Sequence, residues 1–308
     1  MKDIKVAVIG SGYLGSFHAE KYRDMEGVEL VGICDIDSAQ SARVSKACRS
    51  KPFADYRDLL GKVDAVSIAL PTHLHYEAAE RFLEGGTDVL IEKPITKRTE
   101  EAEKLVKLAA SKNLIIQVGH VERFNSAIRA IEGYLKEPRF IECHRLSRQK
   151  KRGLEVGVTL DLMIHDIDIV LGLVKSEVEN IEAVGINVLS ESEDIANARI
   201  RFENGTICNL NASRVAHRNM RKIRIFQKDT YISLDYLTQT ARIYTKSGKK
   251  ISSSRIKAKK GDPLGAQLAS FIDCVRNRTK PIVSGDEGLK ALKVALDIQS
   301  KIERSRNL

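Results

Sequence analysis

Residues 5–16 read KVAVIGSGYLGS, and this stretch decides the fold of the first part of the chain. The apolar run that opens it predicts a buried β-strand. Three glycines follow at the spacing Gly10-x-Gly12-x-x-Gly15, and a helical pattern opens at Ser16. The order of strand, glycine-rich turn and helix indicates the beginning of a βαβ unit.

The glycines suit a turn that binds a dinucleotide. Gly10 permits the tight turn, Gly12 lets the backbone approach a pyrophosphate, and Gly15 lets the helix pack close to the strand. The helix N-terminus offers unpaired N–H groups and the positive end of its dipole to the phosphates. We therefore predict that these glycines, with Tyr13 and Leu14 between them, form part of a cofactor site.

An acidic residue after the second strand supports this prediction. That strand is predicted at 28–34 and ends directly before Asp35, 20 residues beyond Gly15. The carboxylate can accept two hydrogen bonds from a ribose diol, whereas its charge would repel a 2′-phosphate, so we predict NAD in preference to NADP. The glycines alone are also compatible with an ordinary loop, but the two strands and the acid favour a dinucleotide site.

Strands and helices alternate up to about residue 120. Further strands are predicted at 63–70, 88–92 and 114–118, and helices at 75–84 and 99–111. Such alternation predicts an α/β fold with a doubly wound parallel sheet, the Rossmann arrangement. We assign residues 1–122 to this NAD-binding domain.

After Pro138 the pattern changes to consecutive strands. Candidates lie at 140–146, 181–188, 196–202, 206–213, 222–227, 231–235 and 241–245. Short turns between them, such as Asn204-Gly205, predict an α+β domain over 123–308 with a large, mainly antiparallel open sheet. Helices are predicted at 124–136, 159–173, 264–278 and 287–304, and a basic loop at 246–260. The closing helix, predicted at 287–304, could pack back on the first domain.

Composition narrows the class of protein. Of 308 residues, 43% are hydrophobic and 30% charged, as in an ordinary globular protein, and no run of 18 apolar residues predicts a membrane span. Five scattered cysteines predict buried, reduced thiols in a cytoplasmic protein. The net charge of +10 suits an anionic ligand, or simply a solvated basic surface. The basic segments 145–152 and 246–260 lack interleaved aromatic residues, which argues against nucleic acid as a partner.

Candidate cofactor and substrate residues follow the later strands, because ligands of open parallel sheets bind at the carboxyl ends of strands. Leu70, Pro71, Thr72 and His75 are predicted to line the nicotinamide half of the cofactor. His73 and His75 are two residues apart, so we do not expect them to share a metal ion.

Glu92-Lys93-Pro94 ends the strand predicted at 88–92. Pro94 restricts Lys93 to an extended conformation at the strand end. Lys93 could therefore donate to a substrate hydroxyl beside the cofactor, and we place Glu92 and Lys93 among the cofactor-lining residues. The alternative is a surface lysine at a strand end.

Residues 160–168 read LDLMIHDID and give the strongest pattern of the second half. At about 100° per residue, Asp161, His165 and Asp168 fall within roughly 60° of one another on a helix. Asp161 could fix the tautomer of His165 four residues on, which would make His165 a general acid or base. The alternatives are a structural Asp–His pair and a salt bridge of Asp168 within the domain. A metal site from these three residues lacks further ligands, and we predict no metal.

In this order the motifs resemble those of the Gfo/Idh/MocA oxidoreductases. The resemblance rests on Gly10-x-Gly12-x-x-Gly15, Asp35, Glu92-Lys93-Pro94 and Asp161-x-x-x-His165 and covers nearly the whole chain. It implies a Rossmann domain, an α+β domain whose sheet commonly builds a dimer or tetramer, and oxidation of a sugar or cyclitol hydroxyl by NAD(P). It also implies that His165 is the acid/base, that Asp161 orients it, and that Lys93 binds and polarises the reacting oxygen.

Three segments look like those of the UDP-N-acetylglucosamine 3-dehydrogenases. They are 117–125 (QVGHVERFN), 161–168 (DLMIHDID) and 194–199 (DIANAR). Those enzymes oxidise the 3-hydroxyl to a ketone, and a PLP-dependent aminotransferase then installs an amine for lipid A. This implies a nucleotide-sugar substrate, which Arg123 and Asn125 would contact together with Lys93, Asp161 and His165. Other family activities, on inositol, free sugars or UDP-sugar uronates, and a non-catalytic NAD-binding regulator are the alternatives.

Overall fold

The computed structural model describes residues 2–148 and 156–306. Contacts between residues divide the chain into two compact units. They are Met1–Val121 with Asp262–Leu289, and Glu122–Gly261 with Lys290–Leu308. The domain boundaries proposed from the sequence, 1–122 and 123–308, stay a prediction.

The first unit is built around a six-stranded parallel sheet. Its strands are β1 (Ile4–Ile9), β2 (Val28–Cys34), β3 (Lys51–Phe53), β4 (Ala65–Ile68), β5 (Asp88–Ile91) and β6 (Ile116–Val118). They lie in the order β3-β2-β1-β4-β5-β6, and every neighbouring pair is parallel. The helices between them are α1 (Tyr13–Arg23), α2 (Ser38–Cys48), α3 (His75–Glu84) and α4 (Thr99–Ser111). The predicted doubly wound Rossmann sheet is confirmed.

The strand order reverses at β1, between β2 and β4, and this is the place where such sheets bind ligands. All residues of β4 and β5 are buried, as expected for central strands covered on both faces. Because the strands are parallel, their carboxyl ends meet at one edge of the sheet. That edge brings together Gly10, Asp35, Leu70 and Glu92, which directly follow β1, β2, β4 and β5 or lie within two residues of them.

Helix α1 begins three residues before the predicted start at Ser16. Gly12 is the N-cap, and the N–H of Ser16 donates to the carbonyl oxygen of Gly12 at 3.0 Å. The prediction was wrong because the apolar side chains of the first turns, Tyr13, Leu14 and Phe17, are exposed. They do not belong to the buried face from which the helical pattern was inferred.

The second unit contains an eight-stranded sheet. Its strands are β7 (Phe140–Leu146), β8 (Val178–Ile186), β9 (Ile195–Phe202), β10 (Ile207–Ser213), β11 (Met220–Phe226), β12 (Thr230–Asp235), β13 (Thr240–Ser247) and β14 (Lys250–Ile256). They lie in the order β14-β13-β12-β11-β7-β10-β9-β8. Only β7 and β10 pair in parallel, and the other pairs of this described sheet are antiparallel. The predicted mainly antiparallel sheet is confirmed.

The prediction of a loop at 246–260 was wrong, because this segment contains β14. A turn at Gly248, whose φ is +59°, joins β13 to β14. Six of the seven β14 residues are exposed, so the strand lacks the alternation by which a half-buried strand is recognised. Its lysine, arginine and three serines are typical of a sheet edge protected from further pairing. Of the other basic segment, 145–152, residues 149–152 lie outside the described residues.

Two helices of the second unit carry residues of interest. They are α5 (Ser126–Ile131) and α6 (Ile164–Val174). The sequence predicted one helix over 124–136, whereas 3₁₀ turns at Val121–Phe124 and Glu132–Tyr134 flank α5. The side chain of Asn125 accepts a hydrogen bond from the N–H of Ala127 at 3.1 Å. This N-cap starts a new helix, which is why the predicted one is interrupted.

The closing helices are α7 (Pro263–Asn277) and α8 (Gly285–Arg306), close to the predicted spans. Helix α7 buries Leu268, Phe271 and Ile272 in the core of the first unit. Helix α8 contributes apolar residues to the core of the second unit, namely Ala291, Ala295, Ile298 and Ile302.

Two expectations from composition can be compared with the structure. In the part of the chain that the structure describes, no helix is long and apolar enough to span a bilayer. All five cysteines are free thiols with buried side chains, as predicted from their scattered positions.

Candidate active site

The glycine turn after β1 has space for side chains at only one of its three glycines. Gly10 has a φ of +96°, and a Cβ there would lie 2.5 Å from the carbonyl oxygen of Ala69. A Cβ on Gly15 would overlap the carbonyl oxygen of Gly10. Around Gly12, by contrast, no atom of the described residues outside its immediate chain neighbours lies within 4 Å of the Cβ position. Gly10 and Gly15 therefore serve close packing, and Gly12 leaves its backbone open to a ligand.

The start of α1 fits the pyrophosphate of a dinucleotide. Its N-cap is Gly12, so no side chain caps the first turn, and that turn contains no acidic residue. The backbone N–H groups and the positive end of the helix dipole therefore point to the space above Gly12. The residues present fit a nicotinamide dinucleotide as the bound group.

Asp35 follows β2, and hydrogen bonds already orient its carboxylate. Oδ2 accepts from the backbone N–H of Ser11 at 2.6 Å and from the Ser11 hydroxyl at 2.8 Å. Oδ1 accepts from the N–H of Asp37 at 3.0 Å. These bonds hold the carboxylate beside the glycine turn and leave lone pairs for a ribose diol. Ser11 was not predicted as a site residue, because its only signal in the sequence is a hydroxyl between the first two glycines.

His75 ties the loop after β4 to the Glu-Lys-Pro segment. Its ring is buried, with Nε2 2.8 Å from the carbonyl oxygen of Leu70 and Nδ1 2.9 Å from that of Pro94. Burial lowers the pKa of His75, against the opposing effect of these carbonyls. Pro71 and Thr72 lie in the loop between β4 and α3, and neither is buried. The contact of Leu70, Pro71, Thr72 and His75 with a cofactor stays a prediction.

Lys93 lies where the sequence placed it, at the end of β5, two residues after Ile91. Its side chain is partly exposed, between buried Glu92 and buried Pro94, and the Lys93–Pro94 peptide bond is cis. An ammonium group therefore stands at the carboxyl edge of the parallel sheet, at the same edge as Gly10 and Asp35. This position is compatible with contacts to a cofactor and to its substrate.

A π-helical segment, Thr159–Met163, precedes α6. One regular α-helix over 159–173 was predicted, and this was wrong because the first turn is π-helical, with i→i+5 hydrogen bonds, so Asp161 and His165 do not have the relative positions of an α-helix. Asp161 and His165 are partly exposed, whereas Asp168 is buried. Single π turns are frequent at functional sites, which is consistent with the predicted roles of Asp161 and His165.

Two arginines hold the buried carboxylates of α6. Asp168 accepts a hydrogen bond from Arg123 at 2.9 Å, so the predicted alternative of a salt bridge is confirmed. Asp166 accepts two hydrogen bonds from Arg145, at 2.9 and 2.8 Å. Arg145 also donates to Glu122 at 3.0 Å. Arg145 was not predicted as a buried residue, because nothing in the sequence around it distinguishes it from a surface arginine.

Arg123 and Asn125, the predicted substrate contacts, both have partners inside the second unit. Arg123 packs on Gly172, where any Cβ would overlap the guanidinium. The Asn125 amide nitrogen lies 3.1 Å from Glu122 Oε2 and 3.2 Å from the carbonyl oxygen of Tyr236, and donates to both. These contacts give the two residues a structural role, and their contact with substrate stays a prediction.

Asp194, which opens the DIANAR segment, anchors the connection between β8 and β9. Its Oδ2 accepts from the backbone N–H groups of Val188, Leu189 and Ser190 at 2.8, 2.6 and 3.0 Å. Burial would raise the pKa of Asp194, but these hydrogen bonds lower it to about 2. The carboxylate therefore stays charged at neutral pH and fixes the loop.

The glycine turn, the oriented Asp35 and Lys93 at one edge of a Rossmann sheet define an oxidoreductase that uses a dinucleotide. Comparison with known families agrees with this class. Residues 4–120 match the oxidoreductase family with an NAD-binding Rossmann fold, and residues 127–233 match the GFO/IDH/MocA C-terminal domain. The chain belongs to the GFO/IDH/MocA family, and the resemblance seen in the sequence is confirmed.

Individual relatives cover nearly the whole chain. UDP-N-acetylglucosamine 3-dehydrogenase of Acidithiobacillus ferrooxidans is 35% identical over 314 residues, with 98% of each chain covered. A solved structure of that enzyme superposes with a TM-score of 0.94 and covers 99% of both chains. Myo-inositol 2-dehydrogenase of Thermotoga maritima is 23% identical over 328 residues, covering 99% of this chain and 98% of its own. These relatives are dehydrogenases that act on hydroxyl groups.

Proposed function

We propose that this chain oxidises the 3-hydroxyl of UDP-N-acetylglucosamine to the 3-keto sugar with NAD. The observation that carries the proposal is the similarity to the Acidithiobacillus ferrooxidans enzyme, which extends over 98% of both chains at 35% identity. The inositol dehydrogenase is 23% identical and is therefore a weaker guide to the substrate. The net charge of +10 suits a substrate that carries a diphosphate.

The proposed chemistry assigns one step to each candidate residue. Oxidation of a secondary hydroxyl removes a proton from oxygen and a hydride from carbon. The neutral imidazole of His165 would take the proton, and the Asp161 carboxylate would orient the ring and stabilise its charged form. The Lys93 ammonium would donate a hydrogen bond to the reacting oxygen and stabilise the negative charge that develops there. Bound NAD supplies the acceptor for the hydride.

The expected product implies a second enzyme that acts on it. A 3-keto sugar is a substrate for transamination, so a PLP-dependent aminotransferase is the proposed functional partner, on a route to lipid A.

We also propose a cytoplasmic homodimer or homotetramer, because the substrate and cofactor are small soluble molecules and the large sheet of the second unit offers a surface for association.

The substrate is tested by following NADH formation with UDP-N-acetylglucosamine, free N-acetylglucosamine, UDP-glucose and myo-inositol. We expect kcat/KM for UDP-N-acetylglucosamine to exceed that for myo-inositol by at least about 100-fold, since two charge-assisted hydrogen bonds to a diphosphate contribute about 3 kcal/mol. Reduction of the product with borodeuteride should place deuterium at C3. Turnover of inositol but of no UDP-sugar would assign a sibling activity, and NAD binding without any turnover would favour a regulator.

The choice of NAD is tested at Asp35. We expect Asp35→Ser to lower the ratio of kcat/KM for NAD to that for NADP by about tenfold or more, because one charged hydrogen-bond acceptor is worth about 1.5–3 kcal/mol. Asp37→Ser is the matched control: it removes a carboxylate two residues away, and serine can still cap α2 as Asp37 does through Gln40. An unchanged ratio in Asp35→Ser would contradict the role of Asp35.

A further inference from the structure

A buried chain of side chains lies behind the Glu-Lys-Pro segment of the first unit. His18 is fully buried on α1, and its Nε2 lies 3.2 Å from Oε1 of Glu92. The other ring nitrogen lies 3.1 Å from the hydroxyl of Ser67 on β4, and that hydroxyl lies 3.0 Å from the hydroxyl of Tyr22. The four side chains are thus linked inside the core, from α1 through β4 to the end of β5.

The backbone around the Glu92 carboxylate is shaped to admit it. A Cβ on Gly119, which follows β6, would lie 2.6 Å from Oε1 and 2.9 Å from Oε2 of Glu92. The N–H of Gly119 donates to the carbonyl oxygen of Ile91 at 2.8 Å, which fixes this backbone beside β5. Two independent features, the imidazole of His18 and the space above Gly119, therefore set the position of one carboxylate.

A buried carboxylate costs free energy unless it is paired, so the contacts of Glu92 must compensate its burial. Burial would raise the pKa of Glu92, but His18 and Lys93 outweigh burial and lower it, which keeps the group anionic. Oε2 of Glu92 lies 3.3 Å from the backbone nitrogen of Lys93 and accepts its hydrogen bond. The carboxylate thus joins His18 on one side to the backbone of Lys93 on the other.

We propose that His18 is a positioning residue for Lys93 and acts through the carboxylate of Glu92. The inference rests on the proposed role of Lys93 in substrate oxidation. Helix α1 then has two roles. Its N-terminus follows directly on the glycine turn, and its His18 orders the Lys93 segment. Of these four linked side chains, only Glu92 belongs to a motif recognised in the sequence.

Two substitutions of similar size separate the two polar contacts of His18, with Glu92 and with Ser67. A glutamine amide can occupy the place of Nε2 and donate to Glu92, whereas an asparagine amide reaches only the place of Nδ1, next to Ser67. We expect His18→Asn to lower kcat by about 100-fold, the effect of a small misplacement of a reacting group, and His18→Gln to lower it by about fivefold at most. Because the glycine turn and Asp35 are untouched, both variants should bind NAD with the affinity of the parent, measured by calorimetry.

Two further variants test the direction of the effect. Ser67→Ala removes the hydrogen bond behind His18 but keeps the contact with Glu92, so kcat should stay close to that of the parent. Gly119→Ala fills the space of the Glu92 carboxylate and should lower kcat as His18→Asn does, again with unchanged NAD affinity.

The parent and Lys93→Ala are measured in the same assay, so that the two proposals can fail separately. If Lys93→Ala keeps full kcat, the proposed role of Lys93 is wrong, and with it the role of His18. If Lys93→Ala is inactive but the Gln and Asn variants of His18 have equal kcat, the positioning role alone is wrong. Loss of NAD affinity in both His18 variants would likewise overturn it, because His18 would then only maintain the fold of the first unit.

Discussion

Replacing His165 by alanine is expected to lower kcat by about 100- to 10,000-fold, the range over which a general acid or base contributes. The affinity for NAD should not change, because the glycine turn and Asp35 belong to the first unit and His165 to the second. Both quantities are measured on the same preparation, kcat by NADH formation from UDP-N-acetylglucosamine and NAD affinity by calorimetry. A lower kcat with unchanged NAD affinity indicates loss of a reacting group, whereas a fall in both indicates loss of the fold.

The matched control for this experiment is His144→Ala, which removes an imidazole from β7 of the same unit. We expect its kcat to stay close to that of the parent. Asp161→Asn should have an intermediate effect, since the amide keeps the size of the side chain but cannot stabilise an imidazolium. Unchanged turnover in His165→Ala would remove His165 from the mechanism and return the regulator to consideration.

The residues that the sequence predicted best are those whose chemistry is local. The glycine spacing and Asp35 lie within one βαβ unit, so each constraint acts on neighbours along the chain. Gly10 has a φ of +96°, and Gly15 is limited by contact with Gly10, and both constraints follow from the geometry of the strand–turn–helix. Local constraint of this kind is visible in a single sequence.

The residues that the sequence could not predict are those paired across the fold. Arg145 of strand β7 contacts Asp166 of helix α6, and His18 of α1 contacts Glu92, which follows β5 much later in the sequence. Neither arginine nor histidine stands in a pattern that reveals its partner. The burial that makes such pairs strong becomes visible only when the chain is folded.

Local backbone geometry accounts for the remaining differences. The π turn at Thr159–Met163 has no marker in its residues, yet it changes the spacing of Asp161 and His165. The edge strand β14 was missed because a strand exposed on both faces needs no apolar alternation. In both cases tertiary context determines the conformation that local preference leaves open.

Replacing Arg145 by leucine is expected to lower the free energy of unfolding of the second unit by about 3–5 kcal/mol, the cost of leaving buried charge uncompensated. The guanidinium is 2% exposed, makes two hydrogen bonds to Asp166 and one to Glu122, and lies over the ring of Tyr236 at 5.3 Å. Burial would lower the pKa of Arg145, but Asp166 and Glu122 outweigh burial and raise it, so the cation persists. Urea unfolding measures the change.

The matched control is Arg224→Leu, on neighbouring β11 of the same sheet. Arg224 is 49% exposed and lies 3.7 Å from Glu142, so its loss should cost less than about 1 kcal/mol. If the two variants lose the same free energy of unfolding, the buried Arg145–Asp166 pair does not stabilise the unit more than the exposed Arg224–Glu142 pair. Arg145→Leu should also lower kcat, because Asp166 directly follows His165 and its two hydrogen bonds hold the start of α6.

The pH dependence of the Arg145→Leu deficit distinguishes lost charge compensation from lost packing. Burial raises the pKa of Asp166 and Arg145 opposes that rise, so removing Arg145 raises the pKa further. An acid whose pKa is raised by folding is destabilising where it is ionised, and this cost disappears as the pH falls through the folded-state pKa. The deficit should therefore be largest at neutral pH and shrink in mild acid, as Asp166 takes up a proton. A deficit that is the same at both pH values would assign the loss to packing against Tyr236, because apolar contacts do not titrate.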